Sequence, residues 1–100
     1  MPTYKVLNKT GKEIFTNETL HPGKVLESEL AARGIKKSDF AHSLGIKPGH
    51  LSDLLHGRRH VSAATAISLE KLLDIEAEYW LRLQMDYDLQ IERNRFQEAA

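Results

Sequence analysis

Between Ser38 and Val61 the chain reads SDFAHSLGIKPGHLSDLLHGRRHV, a short apolar-periodic run, a glycine, a second such run, another glycine and two arginines. No other stretch restricts the fold so narrowly. Phe40, Ala41 and Leu44 recur at helical spacing and stop at Gly45; Leu51, Leu54 and Leu55 recur again and stop at Gly57. Only Gly45-Ile46-Lys47 separates the two runs, and a three-residue turn opening on glycine is the local mark of two short helices crossing steeply. Gly45 supplies positive φ at the helix end. Ala41, one turn earlier, is small enough for the second helix to approach, and Ile46 is placed to plug the corner. Burying Leu51, Leu54 and Leu55 leaves Gly49, His50, Ser52, Asp53 and His56 on the sides and outer face of that helix, where they meet base edges if it lies in a DNA major groove.

Helical signals extend on both sides. Pro22 suits a first helical turn, Val25, Leu26 and Leu30 form an apolar stripe, and Gly34 ends it. Pro48 opens the helix carrying Leu51. Ser62 is a good N-cap for a fourth helix with Ile67, Leu69, Leu72 and Leu73 as its apolar positions. A fifth begins near Glu76 to Glu78 and carries Trp80, Leu83, Tyr87 and Ile91 along one face. Tyr4-Lys-Val-Leu and Glu13-Ile-Phe-Thr flank NKTG, which resembles two short strands around a turn. The expected fold class is therefore all-α, a five-helix helix-turn-helix domain, preceded by a short N-terminal β-hairpin or arm. Residues 1–20 form that arm, residues 21–93 the DNA-binding domain with a C-terminal dimerisation helix, and residues 94–100 a frayed tail.

Zero formal net charge argues at first against a polyanionic partner. The sum conceals an asymmetry. Residues 33–60 hold six cations (Arg33, Lys36, Lys37, Lys47, Arg58 and Arg59) against Asp39 and Asp53, and four of the five histidines; residues 70–100 hold eight acids and four bases. The positive region coincides with the helix-turn-helix stretch, so one side of the molecule is suited to an anion. Lys36 and Lys37 precede the second helix, and Arg58 and Arg59 follow the third, both places where a docked unit meets the sugar-phosphate backbone.

Three further stretches make the resemblance specific: HPGKVLESEL at His21–Leu30, FAHSLGI and LSDLLHGRRHVSAATAISLEKLL within Phe40–Leu73, and AEYWLRLQMDYDLQ at Ala77–Gln90. With these the chain resembles the HigA/VapI branch of the Cro/repressor-type (XRE) helix-turn-helix proteins, antitoxins of toxin–antitoxin operons. The resemblance implies a homodimer, binding of double-stranded DNA at a palindromic operator of its own operon with repression of transcription, and neutralisation of a HigB-type ribonuclease toxin. By position it implies base reading by Lys47, Gly49, His50, Ser52 and Asp53, and phosphate contacts by Lys36, Lys37, His56, Arg58 and Arg59. Lys36 and Lys47 replace the family's usual polar caps of the second and third helices, and Lys37 stands where a glutamine is usual. The stripe Trp80, Leu83, Tyr87 and Ile91 fits the domain's own core, above all at Trp80 and Leu83, or a dimer interface, and a dimer formed through it places two recognition helices about 34 Å apart, one turn of DNA. For the toxin, the apolar side chains of the arm (Tyr4, Val6, Leu7, Ile14 and Phe15) are a candidate surface.

Other chemistries fit less well. His56 and His60 are four apart, with His42 and His50 nearby, but Gly57 breaks the helix between the first two and no cysteine completes a metal set. No nucleophile elbow, phosphate-cradling glycine loop or metalloprotease motif occurs, and Asp86 and Asp88 fall on different faces of one helix. Catalytic residues, metal, cofactor and small-molecule substrate are accordingly all expected to be none. No apolar run approaches the roughly 18 residues that span a membrane, and the start has no continuous apolar run of a secretory signal, so a cytoplasmic protein is expected. Two alternatives share the fold: a stand-alone repressor without a toxin, and a protein-interaction module that does not bind DNA.

Overall fold

The computed structural model describes residues 6–7, 13–14 and 20–99. Two strands, β1 (Val6–Leu7) and β2 (Glu13–Ile14), pair antiparallel with Val6 opposite Ile14, as the sequence predicts for this segment. The remainder of the arm, Tyr4 and Phe15 included, lies outside the described residues. Five helices follow: α1 (Pro22–Arg33), α2 (Lys37–Leu44), α3 (Pro48–Leu55), α4 (Ala63–Leu73) and α5 (Ala77–Ala99).

Each boundary has a local cause. Gly34 and Gly45 end α1 and α2 in the left-handed region at φ 67° and 74°, where a side chain would be strained. After Gly45 the Ile46 N–H donates to the Ala41 carbonyl at 3.0 Å, closing the orphan carbonyls of α2. The Ser62 hydroxyl accepts from the Thr65 N–H at 3.2 Å and caps α4. At the other end of α4, Asp74 adopts φ 59°, a conformation that Asp tolerates better than most residues. The α5 N-terminus is served from outside, its Ala77 N–H donating to the Glu70 carboxylate of α4 at 3.1 Å. Helix α5 continues past residue 93 to Ala99, supported by side-chain pairs Gln90–Asn94 and Glu92–Arg95 at 3.0 and 2.9 Å.

The core lies where α1, α3, α4 and α5 converge on Leu26, Leu30, Leu51, Leu54, Leu55, Leu69, Leu73 and Trp80. Ala41 is fully buried and Ile46 packs against the core, the two tasks their places in the turn require. Two expectations are corrected. In α4 the buried positions are Ala66, Leu69 and Leu73, whereas Ile67 and Leu72 are exposed (47% and 41%), because the small Ala66 is what lets α4 approach its neighbours. Trp80, expected on a dimer face, is 0% exposed within the chain itself. The domain needs the indole to fill its centre, so it offers nothing to a second protomer.

His-Pro-Gly at the start of α1 is a joint. The His21 Nδ1 accepts from the Gly23 N–H at 2.9 Å, capping the helix. Its ring packs edge-on against Tyr87 of α5 at 4.8 Å, and Gly57 passes against its other atoms. One buried imidazole thus touches α1, α5 and the exit of α3. Burial, and then the nearby His60, push the His21 pKa below its ordinary 6.5, with the Asp88 carboxylate and the Arg59 backbone opposing. The folded state therefore binds fewer protons than the unfolded chain. Stability is fully present above pH 6.5 and is expected to fall as pH drops below it towards the folded pKa. His21→Asn, which keeps a capping side chain but does not titrate, is expected to flatten this segment of the melting temperature against pH.

Candidate nucleic-acid interface

Helices α2 and α3 are joined through the Gly45 turn. Neither helix has a side-chain cap: Lys36 and Lys47 occupy the N-cap positions in extended backbone without a capping hydrogen bond. Lys47, Gly49 and Pro48 are exposed at the α3 start, and among the described residues nothing beyond the local helix backbone and chain neighbours lies within 4 Å of where a Cβ on residue 49 would be. His50 is half-buried and lines a shallow hollow between α3 and α4 with Ala64, Thr65 and Ser68.

Farther along α3, Ser52 and Asp53 are half-buried and His56 is exposed. The His56 Nδ1 lies 2.7 Å from the Ser52 carbonyl, which only a protonated ring nitrogen satisfies, so Nδ1 donates and Nε2 remains for another partner. Gly57 at φ 76° then reverses the chain and brings the two arginines back along the helix. The Arg58 Nε donates to one Asp53 oxygen at 2.9 Å, and the Arg59 Nε lies 3.6 Å from the other. The Arg58 hydrogen bond holds the Asp53 carboxyl below the usual carboxylate range. At the opposite flank, the Lys37 Nζ donates to Glu27 of α1 at 3.2 Å and lowers the Glu27 pKa in the same way. Lys36 is exposed and makes no ion pair with a described residue.

The fold therefore brings Lys36, Lys37, Lys47, Ser52, Asp53, His56, Arg58 and Arg59 to the α2–α3 unit and its two edges. It does not gather the four residues expected at a dimer face: Trp80 is internal, Leu83 and Tyr87 are half-buried, Tyr87 against His21, and Ile91 is exposed. Exposed Tyr79, Met85, Leu89, Ile91 and Phe96 instead give α5 its outward apolar side chains. Among the described residues no group of three or more His, Cys, Asp and Glu side chains converges on a metal-sized site, and no helix is long and apolar enough to cross a membrane.

Sequence reasoning missed two side chains. Glu27 carries no local signal, since its partner is ten residues away on another helix. Gln84 does carry one. It lies four residues after the buried Trp80, on the same helical face, and its side-chain oxygen accepts from the Val61 N–H at 2.7 Å while its nitrogen donates to Asp88 at 3.0 Å. Asp88 in turn lies 3.6 Å from the His60 Nε2. The loop bearing the arginines is thereby tied to α5.

A family model for helix-turn-helix proteins matches residues 26–80. Virulence-associated protein A' of Dichelobacter nodosus is 37% identical over 70 residues, which are 69% of this chain and 61% of that protein; the chain thus spans less than two thirds of this relative. Antitoxin HigA-1 of Vibrio cholerae is 35% identical over 79 residues, 78% of this chain and 74% of the relative. Among solved structures, the Pseudomonas aeruginosa antitoxin HigA, determined with the higBA promoter, is similar at a TM-score of 0.75 and 28% identity, covering 82% of this chain and 90% of that one.

Proposed function

This chain belongs to the helix-turn-helix family, within its HigA/VapI-type antitoxin branch, and from that premise we propose that it binds a palindromic operator of its own operon as a homodimer and neutralises a HigB-type ribonuclease toxin. The observation that carries the DNA half is the frame around α3. Its outer face is open, its first turn lacks a side-chain cap, and cations stand at both edges of the unit. A helix so framed fits a major groove with its N-terminal amides towards phosphate.

In this assignment Lys36, Lys37, His56, Arg58 and Arg59 hold the backbone, and Lys47, Gly49, His50 and Ser52 face the bases. The exposed apolar residues of α5, with Leu83 and Tyr87 at their margin, join the two protomers. The toxin half is supported by the relatives, HigA-1 among them, that carry the name antitoxin.

Gel shifts on the DNA upstream of the whole operon, ahead of any preceding toxin gene, at two salt concentrations, test the DNA half. Tight, salt-sensitive binding is expected, and affinity indifferent to salt would overturn it. Arg58→Ala with Arg59→Ala is expected to weaken binding to every duplex alike and to reduce the salt slope by roughly 1–2. Co-expression with a small basic open reading frame directly upstream tests the toxin half: a co-purifying complex and relief of growth arrest are expected.

A further inference from the structure

We infer that Asp53 is the positioning residue of the arginine clamp, and that it reads no base. The inference rests on the DNA-binding role proposed above. As an acid on the recognition helix, Asp53 is placed by sequence to accept from a cytosine amino group. In the folded protein one of its oxygens accepts from the Arg58 Nε at 2.9 Å, and the other faces the Arg59 Nε at 3.6 Å, an ion pair beyond hydrogen-bond distance. Both contacts use the inner nitrogen of a guanidinium. The terminal Nη donors are a pair that can meet a phosphate in parallel hydrogen bonds.

The geometry follows from the turn. The Arg58 N–H donates to the Asp53 carbonyl at 2.8 Å, and the positive φ of Gly57 swings the arginine side chains back over the last turn of α3. One carboxylate fixed to a helix thus restrains two long, exposed side chains (59% and 51% exposed) that otherwise sample many rotamers. Restraining them before DNA arrives reduces the ordering cost at binding. An exposed pair of this kind contributes little to folding, so the effect is expected in DNA affinity and not in stability.

The sign of one substitution separates the roles. A carboxylate that merely repels phosphate gives tighter DNA binding when it is removed, and a base reader changes the preferred base at one position. A positioning residue gives weaker binding to all sequences, even though the protein has lost one negative charge. The test is fluorescence anisotropy of the full chain with a random-sequence duplex at low salt and with the upstream duplex, for wild type, Asp53→Asn, Asp53→Glu, Arg58→Ala with Arg59→Ala, and the triple variant. Asp53→Asn is expected to weaken binding to both duplexes about three- to ten-fold, the scale of ordering one such arginine fully. Asp53→Glu is expected to recover part of the loss, and Asp53→Asn is expected to add nothing once the arginines are gone. Tighter or unchanged binding by Asp53→Asn, or an equal loss without the arginines, overturns the inference. So does a loss confined to the upstream duplex. If wild type binds both duplexes equally, operator recognition fails while the random-duplex comparison still decides the role of Asp53; if it binds neither, both fall.

Discussion

Replacing Trp80 by alanine is expected to destabilise the domain by about 3–5 kcal/mol, a large fraction of the margin of a protein this size. The indole is fully buried, the largest side chain that is, and it fills the core beside Leu69, Leu73 and Ala77. Removing it leaves a void that short helices cannot close without separating, so the penalty combines lost transfer energy and an unfilled cavity. Among the described residues its Nε1 has no hydrogen-bond partner. Trp80→Phe, which discards that donor and keeps most of the volume, is therefore expected to cost much less. Urea titrations of both variants at several protein concentrations check this. The alanine midpoint should fall far below wild type at every concentration. A nearly wild-type midpoint accompanied by loss of the dimer would restore Trp80 to an interface.

The second large effect is expected at Gly23, the second residue of α1. A Cβ there would overlap the Leu54 carbonyl oxygen and lie 2.9 Å from its carbon. Those atoms are backbone of α3, so no rotamer change relieves the overlap and α1 must move away from the recognition helix. Gly23→Ala is expected to cost about 3 kcal/mol, despite alanine being the better helix former. At 4–8 °C per kcal/mol, the melting temperature should drop by roughly 12–24 °C. Gly49→Ala is the internal control, because among the described residues nothing beyond the local helix backbone and chain neighbours stands within 4 Å of its Cβ and helix propensity then favours alanine by up to about 1 kcal/mol. Thermal melts that rank the two variants the other way would show that α1 does not depend on this close approach.

These two residues also mark the boundary of what the sequence makes legible. Helix ends are written locally, in Pro22, Gly34, Gly45, Pro48, Gly57 and Ser62, because each acts through its own φ, its missing N–H or its own hydroxyl. The inward face of each helix is not. Ile67 and Leu72 are as apolar as Leu69, yet α4 turns towards Ala66, and a period alone does not distinguish a small residue that admits a neighbour from a surface alanine. Trp80 lies on a stripe that fits a core or an interface equally, and only the packing of five helices decides between them. The candidate site divides the same way. That cations flank α3 follows from their spacing, whereas the partnership of Lys37 with Glu27, or of both arginines with Asp53, depends on how α1 lies over α2 and how Gly57 folds the chain back.

The bond from Val61 to Gln84 has a consequence for the genome the protein searches. It binds the arginine-bearing loop to α5, the helix assigned to the dimer, so in that dimer the two clamps are carried on one continuous body. Such a body works like fixed calipers. Each base pair inserted between half-sites turns the second half-site by about 34° around the duplex, and no slack segment lies between the clamps to follow it. Near-matches with the right letters at the wrong separation are then rejected by geometry alone, which narrows the set of competing addresses without a single additional base contact.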